Sequence, residues 1–435
     1  DIKYDATAVG VGIGAKAAVA ALAGVVAAGG LVPRVFVKST VLRALIGVAG
    51  SVATAAGIAT AAKYAGSTAI AKIEAGNAQT EIAFATKPAL NSVSGSQYSL
   101  APYSTLGLQG RRLVSSVTPP EVISEVMDEQ PRAEPVRAYV GMETVGSDEG
   151  RVELAIQELR RTGGFERSTI LAASPAGTGY VNYITVEAAE LMTLGDIATV
   201  AIQYGGLPSM LSVGRVRQAS YLYAALIKRL RYEIDQLDRE IRLVAYGESL
   251  GALTSQNGVQ MASGDGELAV DAALWVGTPL GSALFEELTG VQGLQVYDRY
   301  EQYEEDAGAG NRPTVTFLNH DNDPVTKFTL ASAYRMPGWL MVADRGRGTN
   351  PNQRWLPGIA FWQDLIDTKN AATVVPGEFY STGHDYRADL AEFVRAAYGF
   401  NDVTDAQVAR IEQQLRASEV DRSERIDQGR VPTSK

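Results

Sequence analysis

The chain has 435 residues, is 46% hydrophobic and carries a formal net charge of −10, enough apolar material for one large domain or two average ones. This acidic balance lacks the basic footprint of a nucleic-acid-binding protein, so we expect no nucleic-acid partner. Cysteine is absent, which excludes a disulfide framework, a thiolate metal site and a cysteine nucleophile. Two histidines, His320 and His384, are the imidazole bases available to the chain.

The first 87 residues differ sharply in composition from the rest. Residues 7–32 are almost wholly Ala, Val, Gly and Leu, and residues 44–62 carry no charge. Each run approaches the roughly 20 residues that span a bilayer core. Gly10 and Gly14 have the spacing that lets membrane helices approach closely. We predict a helical, membrane-associated region over residues 1–87, with a soluble Ala-rich helical hairpin as the alternative.

Three basic residues, Arg34, Lys38 and Arg43, separate these two runs, and no acidic residue accompanies them. The positive-inside bias would place this turn in the cytoplasm and the residues after Lys63 on the other side of the membrane. We therefore expect a membrane-associated protein whose main domain lies on the non-cytoplasmic side. A cytoplasmic location is the alternative.

Residues 88–135 contain six prolines among many serines. Such a composition is more typical of a connecting segment than of a packed element. We predict a connecting arm here, and a domain that begins at residue 136.

From residue 136 onward, strand-like apolar runs alternate with helical patterns. The strand-like runs are residues 136–140, 169–173, 198–203, 241–246, 270–276 and 314–318. The clearest helical patterns are residues 150–161, 184–194 and 219–241. This alternation predicts an α/β domain over residues 136–400, in which helices cover both faces of a mostly parallel sheet. Residues 401–435 are predicted to form a helix over 404–418 followed by a charged tail or partner-clasping arm.

The segment from Gly247 to Gly251 reads GESLG and follows one of the predicted strands. In a nucleophile elbow the serine occupies a tight strand-to-helix turn, and glycines two residues either side avoid collisions with neighbouring backbone. The pattern in this context predicts Ser249 as a nucleophile. A glycine turn with an incidental serine is the plainer alternative.

A serine nucleophile needs a base that a carboxylate orients. The chain order Ser249, Asp323, His384 is the order that α/β-hydrolases use. Asp323 is preferred to Asp321 because it directly precedes a proline, which helps to hold the turn. His320 precedes the acid, so we interpret it as a loop histidine buried beside that acid.

The oxyanion of an acyl-transfer intermediate needs backbone N–H donors. By position the first donor is the amide of Leu250, which follows the nucleophile. The second should come from the small-residue turn after the strand at 169–173, where we favour Thr178, with Gly177 as the alternate. The same turn could be an ordinary connection.

Several ordered motifs together resemble a bacterial α/β-hydrolase family with an N-terminal membrane region. The motifs are RTGGFERS at 161–168, SPAGTGY at 174–180, Gln203-Tyr204, the GESLG elbow, LWVG at 274–277, HDNDPV at 320–325 and Gly383-His384. The resemblance covers residues 107–400. It implies an α/β-hydrolase fold and serine hydrolase chemistry through Ser249, Asp323 and His384, and it carries no agreed substrate.

The substrate class follows from loops at the carboxyl ends of strands, which line the pocket of an open α/β sheet. Leu207, Met210, Trp339 and Trp355 lie in such loops and favour an apolar acyl chain, although they could equally be core residues of a cap. No cluster has metal-ligand spacing and no glycine run has nucleotide-binding spacing, so we expect neither metal nor cofactor.

We conclude from the sequence that the chain is a lipase-like serine ester hydrolase. It is expected to use an acyl-enzyme and to act on acyl or lipid esters near a membrane. One alternative is an acyltransferase that uses the same acyl-enzyme. Another is a catalytically silent, membrane-anchored interaction protein on a hydrolase scaffold. The N-terminal helices or the C-terminal arm could hold a homo-oligomer together.

Overall fold

The computed structural model describes residues 81–207, 212–264, 267–311, 313–327, 329–342, 345–356 and 374–430. The two runs that predict a membrane region, residues 7–32 and 44–62, lie outside these ranges, as does Met210. Across the described ranges, no helix combines the length and the apolar character needed to cross a membrane.

A parallel sheet of seven strands forms the centre of the domain, in the order β1-β3-β2-β4-β5-β7-β6. In chain order the strands are β1 (Val136–Val140), β2 (Thr169–Ser174), β3 (Ile197–Ile202), β4 (Arg242–Glu248), β5 (Ala272–Val276), β6 (Val296–Tyr297) and β7 (Val315–Leu318). The first three strands and β5 are buried along their whole length. A strand buried on both faces is apolar at most positions, which explains the nearly continuous apolar runs of the sequence.

Helices surround the sheet. In chain order the described helices are α1 (Gly107–Val114), α2 (Pro120–Met127), α3 (Asp148–Arg161), α4 (Tyr183–Met192), α5 (Val216–Asp235), α6 (Leu250–Ala262), α7 (Ala283–Glu286), α8 (Tyr300–Gly308), α9 (Pro324–Lys327), α10 (Leu390–Tyr398) and α11 (Asp405–Arg430). Local capping fixes where two of them begin. The Ser147 hydroxyl accepts the amide of Gly150 at the start of α3, and the Asn182 side chain accepts the amide of Ile184 at the start of α4.

The predicted parallel α/β architecture is confirmed. Each of the six apolar runs contains a strand whose ends differ from the prediction by at most two residues, and the three helical patterns correspond to α3, α4 and α5. The sequence did not predict β6, which is only two residues long. So short an edge strand leaves no periodic pattern.

The segment predicted as a connecting arm, residues 88–135, is packed in the structure. It contains α1 and α2, and Val93 pairs in parallel with Arg137 beside the sheet. Leu113 and Ile123 are fully buried in the core. Pro120 is compatible with this packing because it occupies the first turn of α2, where its missing N–H is not needed.

The C-terminal helix α11 extends well beyond the predicted end at residue 418. Part of the predicted charged tail is therefore helical and buried. Glu419 forms an ion pair of 2.6 Å with Arg387, and Arg422 forms one of 2.8 Å with Glu187. Buried charges of this kind are tolerated when they are paired. A charged composition is therefore compatible with a packed helix as well as with an exposed tail.

Helix α11 also contacts α2. The Arg410 Nε donates to the carbonyl of Val126 at 2.6 Å, and the Gln407 Nε2 donates to the carbonyl of Met127 at 3.2 Å. These carbonyls belong to the last turn of α2 and have no partner within that helix. Side chains of α11 therefore satisfy the C-terminus of α2.

Candidate active site

The turn between β4 and α6 places Ser249 in a strained backbone conformation, with φ 56° and ψ −127°. In the described part of the chain, Asp128 and Leu194 are the other non-glycine residues with positive φ. The amide of Ser249 donates to the carbonyl of Val276 at 2.9 Å, which holds the turn against the end of β5. Strain of this kind persists only where surrounding structure fixes it, and it is the conformation expected of a nucleophile elbow.

One glycine is required on each side of this serine. A Cβ atom on Gly247 would lie 2.4 Å from the carbonyl oxygen of Gly251, and a Cβ atom on Gly251 would lie 2.4 Å from that of Ser174. Backbone atoms block both positions, so no rotamer change could relieve the clash. The GxSxG spacing of the sequence is therefore a steric requirement of this turn.

Asp323 and His384, predicted as the acid and the base, are hydrogen-bonded. The Asp323 Oδ2 lies 2.7 Å from the His384 Nδ1, and the Asp323 side chain is 0% exposed. Asp323 follows β7, and its Oδ1 accepts the amide of Val325 at 2.8 Å. Since a carboxylate only accepts, the Nδ1 carries the proton, which leaves the Nε2 of His384 as the basic nitrogen.

The end of β5 brings this pair next to the elbow. A Cβ atom on Gly277 would lie 2.7 Å from the His384 Cε1, so the imidazole lies directly over this glycine. Gly277 follows Val276, whose carbonyl accepts the amide of Ser249. Among the described residues, the Ser249 hydroxyl makes no hydrogen bond. It is therefore not hydrogen-bonded to His384 in the structure. Catalytic hydrogen bonds are often long before substrate binds.

The environment of His384 makes its imidazole a stronger base. Burial alone would lower the pKa of His384, but the charge of Asp323 and its hydrogen bond outweigh burial and raise the pKa above its ordinary value of 6.5. The carboxylates of Glu248 and Asp385 act in the same direction. The site therefore stabilises the imidazolium that forms when His384 accepts a proton.

The alternative residues of the two loops have other partners. Asp321 accepts the backbone amide of Arg347 at 3.0 Å, whereas Asp323 contacts the imidazole of His384. His320 is buried, and its ring nitrogens lie 2.9 Å from the carbonyl oxygen of Gly383 and 3.1 Å from the Asp389 Oδ2. Neither alternative residue is therefore part of the Asp323–His384 hydrogen bond.

Two of the predicted oxyanion donors, Thr178 and Gly177, lie in the loop after β2. The loop after β2 is held by the Gln203 Nε2, which donates to the carbonyl of Thr178 at 3.1 Å. Its start is close to the elbow, since a Cβ atom on Gly251 would lie 3.3 Å from the carbonyl of Pro175. Within the described chain, the amides of Leu250, Thr178 and Gly177 donate to no acceptor. Backbone donors left free in this way are what an oxyanion hole requires.

The predicted substrate-binding residues are less closely tied to the elbow. Leu207 is buried and its carbonyl oxygen would lie 2.5 Å from a Cβ atom on Gly177, which places it beside the β2 loop. The Trp355 Nε1 donates to the carbonyl of Ser332 at 2.7 Å, and the ammonium of Lys327 lies 4.8 Å from the ring centre of Trp339. The described contacts do not join either tryptophan to Ser249.

The sequence did not single out Tyr386, whose hydroxyl donates to the Asp323 Oδ2 at 2.6 Å. It also missed Asn182, whose Nδ2 donates to the Glu248 Oε2 at 2.6 Å beside the nucleophile. The only available signal was the position of Tyr386 two residues after the predicted base. Over the described residues, no group of three His, Cys, Asp or Glu side chains could hold a metal ion.

A seven-stranded parallel sheet with a strained serine after a central strand, and an Asp–His pair in two loops that follow β7, defines the α/β-hydrolase class. The family model described as "Alpha/beta-hydrolase family" matches residues 136–411, more than half of the chain. The chain therefore belongs to the α/β-hydrolase family, which indicates a hydrolase. No curated protein and no solved structure matches the chain.

Proposed function

We propose that the protein is a serine ester hydrolase in which Ser249, His384 and Asp323 act as nucleophile, base and acid. The observation that carries the proposal is the strained Ser249 elbow next to a buried Asp323–His384 hydrogen bond of 2.7 Å. Acyl transfer needs an accessible nucleophile and an oriented base; Ser249 is partly exposed and His384 is oriented by Asp323.

In the proposed reaction, the Ser249 Oγ attacks the carbonyl carbon of the ester while its proton passes to the Nε2 of His384. The amides of Leu250 and Thr178, with Gly177 as the alternate to Thr178, bind the negative oxygen of the tetrahedral intermediate. The ester C–O bond then breaks, and His384 returns the proton to the leaving alcohol. Water attacks the acyl-enzyme by the same sequence and releases the acid, which regenerates Ser249.

The ester is proposed to carry an apolar acyl chain. The segment between the acid loop and the base loop exposes Tyr334 (77%), Met341 (66%) and Leu356 (52%) to solvent. These exposed side chains support the proposal because burying their apolar surface against an acyl chain would be favourable. A panel of esters of increasing chain length tests this preference, and a higher kcat/KM for short esters than for long ones would contradict it.

The chemistry is tested with a fluorophosphonate probe, which reacts covalently with activated serines. The wild-type protein should be labelled at Ser249, and the Ser249→Ala variant should not be labelled. The same variant should lose ester hydrolysis, since removing a triad member costs about 10⁴-fold or more in rate. Labelling that persists in the Ser249→Ala variant would overturn the proposal.

We also propose that residues 1–80 hold the catalytic domain at a membrane. The support is compositional, because residues 7–32 and 44–62 are long, small and nearly uncharged. Removing residues 1–80 should release the protein from membranes and slow hydrolysis of long-chain lipid esters more than that of soluble short-chain esters, since the triad lies after this region. Full-length protein recovered wholly in the soluble fraction without detergent would contradict this placement.

A further inference from the structure

Asp323 has a second partner besides the base. The hydroxyl of Tyr386 donates to the Asp323 Oδ2 at 2.6 Å, and this is the same oxygen that accepts the His384 Nδ1. Both Asp323 and Tyr386 are almost completely buried. One carboxylate oxygen therefore shares its negative charge between a phenol and the imidazole of the proposed base.

The direction of the Tyr386 hydroxyl is fixed by His320. The backbone amide of His320 donates to the Tyr386 oxygen at 3.1 Å, so the hydroxyl proton is left to point at Asp323. The two rings stack with their centres 4.1 Å apart and their planes 21° from parallel. Tyr386 also remains a donor, because burial and the charge of Asp323 raise its pKa well above the ordinary value of 10.0.

The imidazole of His320 makes two further hydrogen bonds near the base. One of its nitrogens lies 2.9 Å from the carbonyl oxygen of Gly383, the residue before His384, and the other lies 3.1 Å from Asp389. A carbonyl only accepts, so the Nδ1 of His320 must carry a proton and donate it there. His320 thus ties the base loop to the loop that follows β7.

We propose that Tyr386 is a positioning residue that tunes the acid–base pair, and that His320 holds it in place. By donating to Asp323, the Tyr386 hydroxyl withdraws part of the charge that would otherwise stabilise the His384 imidazolium. His384 is thereby kept a weaker base than Asp323 alone would make it, and remains unprotonated to lower pH. This proposal rests on the proposed function of His384 as the base.

Three other charged residues act on the Asp323–His384 pair. Glu248, at the end of β4, and Asp385, adjacent in sequence, both favour protonation of His384. Lys327, on α9, interacts with Asp323 and Asp321. Substituting Tyr386 leaves all of these groups in place, so a change in the titration of His384 would report the lost phenol.

The test uses the full chain and the fact that it contains only two histidines. In protein labelled with ¹³C at histidine, the Cε1 signals of His320 and His384 can be followed against pH by NMR, and His384→Gln assigns them. The pKa of His384 should rise by about one unit in Tyr386→Phe, the scale expected for a lost hydrogen bond to a charged group. The acid limb of the kcat/KM profile should move up by the same amount, because neutral imidazole is needed as base.

Tyr398→Phe is the matched control. Tyr398 is another fully buried tyrosine, and its hydroxyl donates to the carbonyl of Ala245 at 3.1 Å rather than to Asp323. This variant should lose comparable stability and leave the pKa of His384 unchanged. An unchanged or lowered pKa of His384 in folded Tyr386→Phe, or an equal rise in Tyr398→Phe, would overturn the proposal.

The NMR titration separates this proposal from the proposed function. If the fluorophosphonate probe fails to label wild-type Ser249, the esterase proposal falls, while the titration still reports whether Tyr386 tunes His384. If labelling succeeds and the His384 pKa does not rise in Tyr386→Phe, the esterase proposal stands and the tuning proposal falls.

Discussion

The elbow that carries Ser249 and the two loops that carry Asp323 and His384 lie side by side, yet different forces hold them. At the elbow the constraint is steric, since backbone atoms leave no room for a side chain at Gly247 or Gly251. On the acid–base side the constraint is a set of hydrogen bonds between residues about 60 positions apart in the chain. A substitution of either elbow glycine should therefore damage packing, whereas a substitution of Asp323 or His384 should damage the proposed chemistry.

The largest effect is expected from His384→Ala. Loss of the base should reduce kcat/KM by about 10⁴-fold, because the serine is a poor nucleophile without it. His320→Ala should cost much less activity, since the ring of His320 contacts Gly383 and Asp389 rather than Asp323. Ester hydrolysis is measured for both variants below their melting temperatures. A greater loss in His320→Ala would mean that the roles of the two loops are assigned wrongly.

A smaller effect, and one of a different kind, is expected from Gly251→Ala. The new methyl group would meet the carbonyl oxygen of Ser174, so the free energy of unfolding should fall by about 1–3 kcal/mol, the usual cost of overpacking. Urea denaturation measures this change. Gly146→Ala is the matched control, because Gly146 is exposed with no atom within 4 Å of the added methyl group. Equal stability of the two variants would show that the elbow is not sterically fixed.

The same contrast explains what the sequence could predict. The strands could be predicted because burial on both faces makes them mostly apolar runs. The elbow could be predicted because the glycines that it requires lie within five consecutive residues. The pairing of Asp323 with His384 followed from their order along the chain, and the structure places them in contact.

What the sequence could not predict depends on contacts between distant residues. Tyr386 was missed because its importance comes from an oxygen 63 positions away, and no local pattern marks it. The packing of residues 88–135 was missed for a similar reason. Prolines and serines resemble a linker locally, but Pro120 begins a helix and the Ser94 hydroxyl donates to buried Glu158 at 2.7 Å.

The contact between the two ends of the domain has a consequence for how the protein is made. The Gln407 side chain and the Met127 carbonyl that it binds are 280 positions apart, and the ribosome adds only about 5–20 residues per second. The last turn of α2 must therefore wait many seconds during translation before α11 emerges to cap it. Because His384 is also synthesised long after Ser249, the nascent chain cannot complete the proposed catalytic centre until nearly all of the domain has left the ribosome.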